Sequence, residues 1–123
     1  MIMPYLRFNG NCEEAFNFYA KCFGGEVVHL TRRDNNPENK VMHATVNLTE
    51  TGSISGSDTD GPLPGKYEIL VLFKTRAEVE NVFAKLSECA TEISRFKPHP
   101  PPDDAGGGAY VTDKYGYTWF LCV

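Results

Sequence analysis

The chain has 123 residues, a net charge of −4 and an apolar share of 41 %. This length fits one domain with one core, and no run approaches the roughly 18 apolar residues of a membrane span. The acidic balance, with its scattered bases, argues against a nucleic-acid partner. No basic and apolar leader with a cleavage site is recognisable, so we expect a soluble, cytoplasmic protein without a membrane partner.

The first predicted elements are a strand over Pro4 to Phe8 and a helix over about Asn11 to Phe23. Apolar side chains recur through that helix at three- and four-residue steps, and Gly24-Gly25 permits a left-handed stop. Asn11 and Glu14 have the spacing of a capping box, in which the first side chain closes the helix start. The sequence therefore predicts an amphipathic helix capped by Asn11.

Short strands follow, and then the pattern starts again. The strands predicted after the first helix are Val27 to Thr31, Met42 to Leu48 and Ser53 to Ser57. The second half is predicted to contain a strand over Tyr67 to Phe73, a helix opened by the capping box of Thr75 and Glu78, and strands at Glu92 to Phe96, Ala109 to Thr112 and Tyr117 to Val123.

The two halves match at a constant offset of 64 or 65 residues, as in Phe8 with Phe73 and Tyr19 with Phe83. An offset that holds through strand, helix and hairpin indicates two βαβββ modules, about residues 1–60 and 65–123. Each module alone leaves an apolar sheet face and a strand edge uncovered, so the modules are expected to pair, within one chain or between chains. We predict a single α+β domain made of these two modules.

Specific segments resemble the PhnB-like branch of the vicinal oxygen chelate superfamily, which includes glyoxalases, bleomycin-resistance proteins and extradiol dioxygenases. The segments are Pro4 to Ala15, Phe18-Tyr19, Phe23-Gly24-Gly25, Met42-His43-Ala44, Gly56-Ser57-Asp58, Thr112 to Gly116 and Trp119. The resemblance implies a cup-shaped mixed sheet around a cavity, and commonly a homodimer. One departure is Pro100 to Gly108, which replaces the family's usual Trp-Gly pair and implies that one cavity wall is rebuilt or mobile.

The resemblance also locates the metal-binding positions of the superfamily. Its metal-dependent members hold a divalent ion with side chains from the first and last strands of each module. Those positions fall at Met3 or Pro4, Gly56, Glu68 and Phe120, and of these only Glu68 has a metal-binding side chain. We therefore expect no metal and no cofactor.

A divalent metal remains the alternative. His29, His43 and His99 are not spaced to supply the missing ligands, since a catalytic ion needs about three protein ligands and an open position. The alternative would need His43 and Asp58 to converge with Glu68, which a sequence does not exclude.

His43 and Glu68 are the candidate catalytic and substrate-binding residues. His43 alternates with Ala44 along its strand, and the resemblance places its polar face towards the cavity, where a histidine can transfer a proton near neutral pH. Glu68 shares a face with Leu70, and a partly desolvated carboxylate there would serve as a general base. The structural alternatives are a histidine bonded only to its strand neighbours and an exposed glutamate at the strand start.

The other predicted substrate-binding residues are Asp58, Phe8, Leu70 and Phe120. For Asp58 the following Thr59-Asp60-Gly61-Pro62 favours a turn role, and aromatic residues pack more often than they recognise ligands. Three irregular loops, over Arg32 to Lys40, Asp58 to Lys66 and Lys97 to Gly108, are candidate lids or plain surface loops.

The cysteines are predicted to be reduced. Cys22, Cys89 and Cys122 fall at apolar positions of helices or strands and are predicted as core thiols. Cys12 begins a helix, where the dipole lowers a thiol pKa, so a reactive Cys12 is an alternative.

The first functional hypothesis is a homodimer whose cavity binds a small, largely apolar molecule without a metal, with His43 and Glu68 as polar anchors. The alternatives are a metal-dependent lyase, isomerase or dioxygenase, a metal-free enzyme that uses Glu68 or His43 as base, and a structural protein with a filled cavity. PhnB-like proteins are also labelled demethylubiquinone methyltransferases. The glycine-rich turn between strand and helix that a methyltransferase cofactor normally needs is missing here, so that activity is not predicted.

Overall fold

The computed structural model describes residues 1–63, 65, 68–102 and 105–123. Contacts divide the chain into two compact units, Met1–Gly65 (unit 1) and Lys66–Val123 (unit 2). Within the described residues each unit contains a helix and a four-stranded mixed sheet, which confirms the α+β class and the two βαβββ modules. The single domain stays a prediction. None of the helices in this part of the chain has the length and apolar character that a membrane crossing requires.

Unit 1 follows the predicted order of elements. They are β1 (Tyr5–Phe8), α1 (Cys12–Phe23), β2 (Glu26–Arg32), β3 (Val41–Asn47) and β4 (Ser53–Asp58). The strands lie in the order β1-β4-β3-β2, with β1 parallel to β4 and the other neighbours antiparallel.

The core of unit 1 lies between α1 and one face of this sheet. Apolar side chains at helical spacing are buried on α1, and Gly24 ends the helix in the left-handed conformation at φ 72°. They meet the buried strand side chains that alternate with exposed ones, because successive residues of a strand point to opposite faces. The strand residues on the helix side are Leu6, Phe8, Ala44, Val46 and Ile54.

The start of α1 differs from the prediction. Asn11 occupies the N-cap position, but its side chain makes no capping hydrogen bond. The buried carboxylate of Asp58 takes that role: its Oδ1 accepts from the backbone N–H groups of Gly10 at 2.8 Å and Cys12 at 3.0 Å. Its Oδ2 accepts from the N–H of Val41 at 2.8 Å. Asp58 therefore joins the end of β4 to the starts of α1 and β3.

The inward side of β3 also differs at one residue. Strict alternation along β3 would place Met42 under the helix with Ala44, but Met42 is 55 % exposed, whereas Val41 is buried. Thr31 pairs with His43 and Arg32 with Val41, so β3 carries one extra residue at this point. Because a bulge of this kind reverses the alternation, Val41 takes the inward position that Met42 would have held.

Unit 2 repeats the arrangement. Its elements are β5 (Glu68–Leu72), α2 (Arg76–Leu86), β6 (Glu92–Pro98), β7 (Gly107–Thr112) and β8 (Thr118–Cys122), in the sheet order β5-β8-β7-β6. Tyr67, predicted to begin β5, lies outside the described residues. The predicted capping box is confirmed here, since the Thr75 side chain accepts from the N–H of Glu78 at 3.2 Å.

Unit 2 also has a buried carboxylate, at a different place. Asp113 lies in the turn between β7 and β8, with its Oδ1 accepting from the N–H groups of Tyr115 at 2.8 Å and Tyr117 at 3.1 Å. Its Oδ2 accepts from the indole Nε1–H of Trp119 at 2.8 Å. Both Asp113 and Trp119 are fully buried, so this carboxylate anchors the largest core side chain of unit 2.

The prediction of free cysteines is confirmed, and the prediction of buried thiols is correct for two of the three residues. All four thiols are free, and Cys22 and Cys122 are buried as predicted, but Cys89 is exposed in the turn after α2, at φ 55°. Cys12 is fully buried, and burial, together with the carboxylates of Asp58 and Glu13, raises the pKa of its thiol to about 12. The reactive Cys12 alternative is therefore wrong, because desolvation outweighs the helix dipole.

Candidate functional site

Each sheet has one face that is turned away from the helix of its own unit, called here its helix-free face. Strand alternation and register assign the residues of these faces, since directly paired residues point to the same side. On unit 1 the helix-free face includes Tyr5, Arg7, His29, His43, Thr45 and Ser55. On unit 2 it includes Glu68, Leu70, Leu72, Glu92, Ser94, Tyr110, Thr112, Thr118 and Phe120.

The two helix-free faces correspond row by row. The central row of unit 1 runs through the paired residues Tyr5, Ser55, Thr45 and His29. The central row of unit 2 runs through Leu70, Phe120, Tyr110 and Ser94. Every member of the second row lies 65 positions after its counterpart in the first, so the predicted duplication holds at the level of single residues.

On unit 1, His43 lies exposed at the centre of a polar network. Its Nδ1 lies 3.5 Å from the hydroxyl oxygen of Tyr5, and its Nε2 lies 3.5 Å from Thr45 Oγ1. Thr45 Oγ1 is 2.8 Å from Ser55 Oγ, which donates to Met3 Sδ at 3.1 Å. The rings of Tyr5 and His43 stack, with centroids 5.9 Å apart. His43 thus faces away from α1, as expected, and its binding role stays a prediction.

On unit 2, Glu68 begins a row of polar side chains. It pairs with Thr118, Thr118 with Thr112, and Thr112 with Glu92. The two threonine hydroxyls are 2.9 Å apart and share a hydrogen bond. Glu68 shares its face with Leu70 as predicted, but it is exposed, so the structure agrees with the alternative of an open strand start rather than a desolvated base.

A cavity of about 280 Å³ lies over this end of the unit 2 face. It is lined by Glu68, Glu92, Ile93, Ser94, Tyr110, Thr112 and Thr118. Beside it the rings of Tyr110 and Phe120 stack at 4.3 Å with an angle of 3°. A larger cavity, of about 370 Å³, lies where α1 ends in unit 1 and is lined by Gly24, Gly25, Glu26, Asn47, Leu48, Thr49 and Glu50, so it includes none of the predicted site residues.

Two predicted binding residues lie elsewhere. Phe8 is buried in the core of unit 1, edge-on to Phe16 at a centroid distance of 5.9 Å. Both carboxylate oxygens of Asp58 accept hydrogen bonds from backbone N–H groups on the helix side. These two residues are therefore corrected to structural roles. Leu70 and Phe120 do lie on the unit 2 helix-free face, where ligand binding stays a prediction.

The superfamily's metal positions do not fit a divalent ion here. Gly56 lies on the helix side, where a Cβ would be 2.8 Å from Phe16 Cζ, so the register counterpart of Phe120 is Ser55. Met3, Ser55, Glu68 and Phe120 then offer a thioether, a hydroxyl, a carboxylate and a phenyl ring. Divalent-metal sites use several carboxylate, imidazole or thiolate ligands, so this set lacks the donors.

The proposed convergence of other ligands also fails. Asp58 faces α1 while His43 faces away from it, so the two side chains lie on opposite sides of one sheet. Across residues 1–63, 65, 68–102 and 105–123, no group of three or more His, Cys, Asp and Glu side chains is placed to hold a metal ion.

Two of the candidate lids are joined by ion pairs. Asp60, after β4, contacts Arg33 at 2.9 Å and Lys40 at 2.7 Å in the loop between β2 and β3. These two cations lower the pKa of the Asp60 carboxyl, and the hydrogen bond to Asp60 raises the pKa of Lys40. Parts of the loops Asp58 to Lys66 and Lys97 to Gly108 lie outside the described residues, so their role as lids stays a prediction.

Sequence reasoning missed Tyr5, Met3 and Ser55 on unit 1. The signal for Tyr5 was present, because Leu6 and Phe8 alternate with Tyr5 and Arg7, which puts the apolar pair in the core and the other pair on the opposite face. No local signal linked Ser55 to Met3, since that contact joins residues 52 positions apart.

Comparison with known proteins identifies the family. Residues 1–122 match the family model described as 3-demethylubiquinone-9 3-methyltransferase. The chain belongs to this family. A search of curated proteins gave no match. The PhnB-like resemblance is thereby confirmed, and the family's descriptive name says nothing further about the reaction of this member.

Solved structures agree. A protein from Pseudomonas aeruginosa is 26 % identical with a TM-score of 0.81, covering 98 % of this chain and 95 % of its own. A PhnB protein from Bacillus cereus is 29 % identical with a TM-score of 0.79, covering 98 % and 96 %. A glyoxylase/bleomycin resistance protein/dioxygenase domain from Frankia is 13 % identical with a TM-score of 0.76, covering 100 % and 95 %. The last likeness confirms the fold predicted for this family member.

Proposed function

We propose that this family member binds a small, largely apolar molecule without a metal, with Glu68 and His43 as polar anchors on the helix-free faces of their units. The observation that carries the proposal is the central row of unit 2, in which Leu70, Phe120 and Tyr110 lie side by side facing away from α2. Leu70 is 60 % exposed and Tyr110 is 38 % exposed, so an apolar ligand has surface to cover.

Apolar contacts on this surface supply part of the free energy of binding. Fully burying a leucine side chain is worth about 1.5–3 kcal/mol, and a stacked aromatic pair offers a rigid platform for a ring or an aliphatic chain. The adjoining cavity of about 280 Å³ lies at the lower end of the range for ligand pockets, roughly 300–1,000 Å³. The proposed ligand is therefore small.

The polar groups at the cavity edge favour a ligand with one hydrogen-bond donor. The Thr112 and Thr118 hydroxyls bond to each other, whereas the exposed Glu68 carboxylate is an acceptor at the cavity wall. An apolar body on Leu70 with a donor group near Glu68 would use both kinds of surface. His43 is proposed to serve in the same way on unit 1.

The proposal includes a homodimer in the cytoplasm. The homodimer rests on the superfamily resemblance, and a second copy would cover exposed apolar side chains such as Leu72. Analytical ultracentrifugation over a range of concentrations tests it, and a monomer at all of them contradicts it.

The binding experiment compares the unaltered protein with Leu70→Ser against a library of small aromatic and aliphatic compounds, by thermal shift and then calorimetry. Leu70→Ser should weaken the affinity for hits about tenfold or more, since losing about 1.4 kcal/mol of apolar contact costs a factor of ten. The matched control is Leu63→Ser, because Leu63 is 52 % exposed but lies outside the sheet. Absence of any hit, or equal loss in both variants, contradicts the proposal.

The metal-free part is tested by elemental analysis of protein purified without chelator, and by melting temperature with added nickel, zinc, manganese and iron. We expect no stoichiometric metal and no rise in melting temperature. Stoichiometric metal, with a rise that Glu68→Ala or His43→Ala abolishes, would instead support the metal-dependent lyase, isomerase or dioxygenase.

A further inference from the structure

A chain of hydrogen bonds crosses the unit 1 helix-free face through Tyr5, His43, Thr45, Ser55 and Met3. Its members come from β1, β3 and β4 and from the residue that precedes β1 by two positions. The last acceptor in this series of hydrogen bonds is the thioether sulfur of Met3. Because that sulfur can only accept, it determines which atom is the donor in each of the remaining hydrogen bonds.

The direction follows from counting hydrogens. A methionine sulfur carries no hydrogen and only accepts, so the Ser55 hydroxyl donates to Met3 Sδ at 3.1 Å. The single hydrogen of Ser55 is then committed, and the 2.8 Å contact requires Thr45 to donate to Ser55. The hydrogen of Thr45 is in turn committed, so His43 donates from Nε2 to Thr45 Oγ1.

Neutral His43 therefore carries its proton on Nε2 and presents the lone pair of Nδ1 to the phenol of Tyr5, 3.5 Å away. In the opposite direction the sulfur of Met3 would face a hydroxyl oxygen with no hydrogen between them, and one hydrogen bond would be lost. The thioether thus sets the tautomer of a histidine that it does not touch.

We infer that Tyr5 is the reactive hydroxyl of this face and that His43 Nδ1 is the base that takes its proton. Tyr5 is 39 % exposed and so can meet a ligand, while His43 is held from both sides. The 3.5 Å contacts are long for a ground-state hydrogen bond, which is common for catalytic pairs before a ligand tightens them.

The ligand class that fits is a small molecule with an acidic hydroxyl, such as a phenol or an enol. As its O–H bond breaks, its proton passes to the Tyr5 oxygen while the Tyr5 proton passes to His43 Nδ1. The products are the ligand oxyanion and an imidazolium, with no change in total charge. The Arg7 guanidinium lies over the Tyr5 ring, 5.2 Å from its centre, so a positive charge is present on the face where the oxyanion forms.

The reactivity of Tyr5 tests the pair without a known ligand. Benzenesulfonyl fluoride modifies a phenol when the oxygen attacks sulfur, the S–F bond breaks, fluoride leaves and the phenol proton goes to a base, here His43. Tyr110 is an internal control, since it is 38 % exposed but stacks on Phe120 rather than on an imidazole. Peptide mass spectrometry should find Tyr5 modified at least about tenfold faster than Tyr110, below the 10²–10⁴ range of general-base effects.

His43→Phe keeps an aromatic ring beside Tyr5 and removes the base, so the Tyr5 rate should fall to that of Tyr110 within the same molecule. Because the two tyrosines are compared in one sample, a change in folding would affect the ratio only if it were local to Tyr5. Equal rates for Tyr5 and Tyr110 in the unaltered protein would overturn the inference.

The tautomer is measured separately by ¹⁵N NMR of histidine-labelled protein, at a pH well above the ordinary histidine pKa of about 6.5. We expect the proton of His43 on Nε2, and a mixture of tautomers in Met3→Leu. Met42→Leu is the matched control, because Met42 is exposed beside His43 and lies outside the chain of hydrogen bonds. A proton on Nδ1 in the unaltered protein overturns the inference, and this NMR readout does not depend on the ligand proposed for unit 2.

Discussion

The two helix-free faces occupy equivalent positions of a duplicated module and carry opposite chemistry. Where unit 1 has Tyr5, Ser55 and Thr45, unit 2 has Leu70, Phe120 and Tyr110. The helix-facing sides of both sheets stay apolar. Because strand residues alternate between faces, one side of a duplicated sheet can change its chemistry while the other side keeps the fold. The proposed roles differ accordingly: proton transfer on unit 1 and apolar binding on unit 2.

The units also differ in where each one buries a carboxylate. Asp58 ends β4, and Asp113 lies in the turn before β8, yet each accepts three hydrogen bonds. Asp58 thus accepts from backbone N–H groups at the starts of α1 and β3, whereas Asp113 accepts from backbone N–H groups of its own turn and from an indole.

The largest expected effect comes from removing these carboxylates. Asp58→Ala or Asp113→Ala leaves at least three donors without an acceptor, and each buried donor costs about 1–3 kcal/mol, so we expect a loss of at least about 3 kcal/mol in the free energy of unfolding. Urea denaturation measures it. Asp34→Ala, at an exposed aspartate in the loop between β2 and β3, should change nothing. If only one of the two substitutions lowers the free energy of unfolding, the two buried carboxylates do not have equivalent roles in their units.

A smaller effect on stability is expected from substituting one glycine in each sheet, Gly56 in unit 1 and Gly108 in unit 2. In Gly56→Ala the new Cβ would lie 2.6 Å from the backbone oxygen of Leu6, so β1 has to move, at a cost of about 2–3 kcal/mol. In Gly108→Ala the new Cβ would overlap the ring of Phe120, a side chain that can rotate away. We expect about 1 kcal/mol or less there, with loss of the Tyr110 stack.

Urea denaturation gives both stabilities, and near-ultraviolet circular dichroism reports the aromatic stack. Equal costs at the two glycines would mean that the Phe120 ring is as fixed as a backbone strand. In that case the unit 2 face would be too rigid to adapt to a ligand.

At neutral pH the smallest effect concerns the thiols. At pH 8, Cys89 should react at once with Ellman's reagent, whereas Cys12 should react only on unfolding, because it is fully buried. The folded-state pKa of Cys12 is raised from 9.0 to about 12, so above pH 9 the unfolded chain loses this proton while the folded chain keeps it. Stability should therefore be unaffected by this thiol below pH 9 and fall as the pH rises towards 12.

Cys12→Ala should flatten that pH dependence, and melting temperatures across the range show it. Cys122, whose pKa is raised by burial, and Lys40, whose pKa is raised by its hydrogen bond to Asp60, contribute in the same direction, so part of the slope remains. If the melting temperature of Cys12→Ala falls with pH as steeply as that of the unaltered protein, the pH dependence comes from other groups.

Much of the fold was predictable because its signals are local. Helix stripes at three- and four-residue steps, glycine stops and the repeat offset placed the predicted helices and strands within about two residues of their observed bounds. The Thr75 box was equally local and equally correct.

The misses have two causes, which are contacts with residues far along the chain and a bulge within a strand. Asn11 and Glu14 fit a capping box, but Asp58, 46 residues after Cys12, supplies the acceptor instead. The inward position of Met42 was wrong because one extra residue in β3 reverses the alternation of buried and exposed side chains. The sequence pattern on either side of that residue gives no sign of the reversal. The candidate site depended on such details, so His43 and Glu68 were found while Tyr5 and Ser55 were not.

The Asp58 carboxylate has a consequence for synthesis. Among the strands that the structure describes, β1 pairs with β4 alone, and the start of α1 is completed by a residue 46 to 48 positions later. A 12-residue helix is marginal on its own in water. At about 5–20 residues per second, α1 therefore waits roughly 2–10 s on the ribosome with its apolar stripe uncovered. Nascent unit 1 should thus be a chaperone client until residue 58 has emerged.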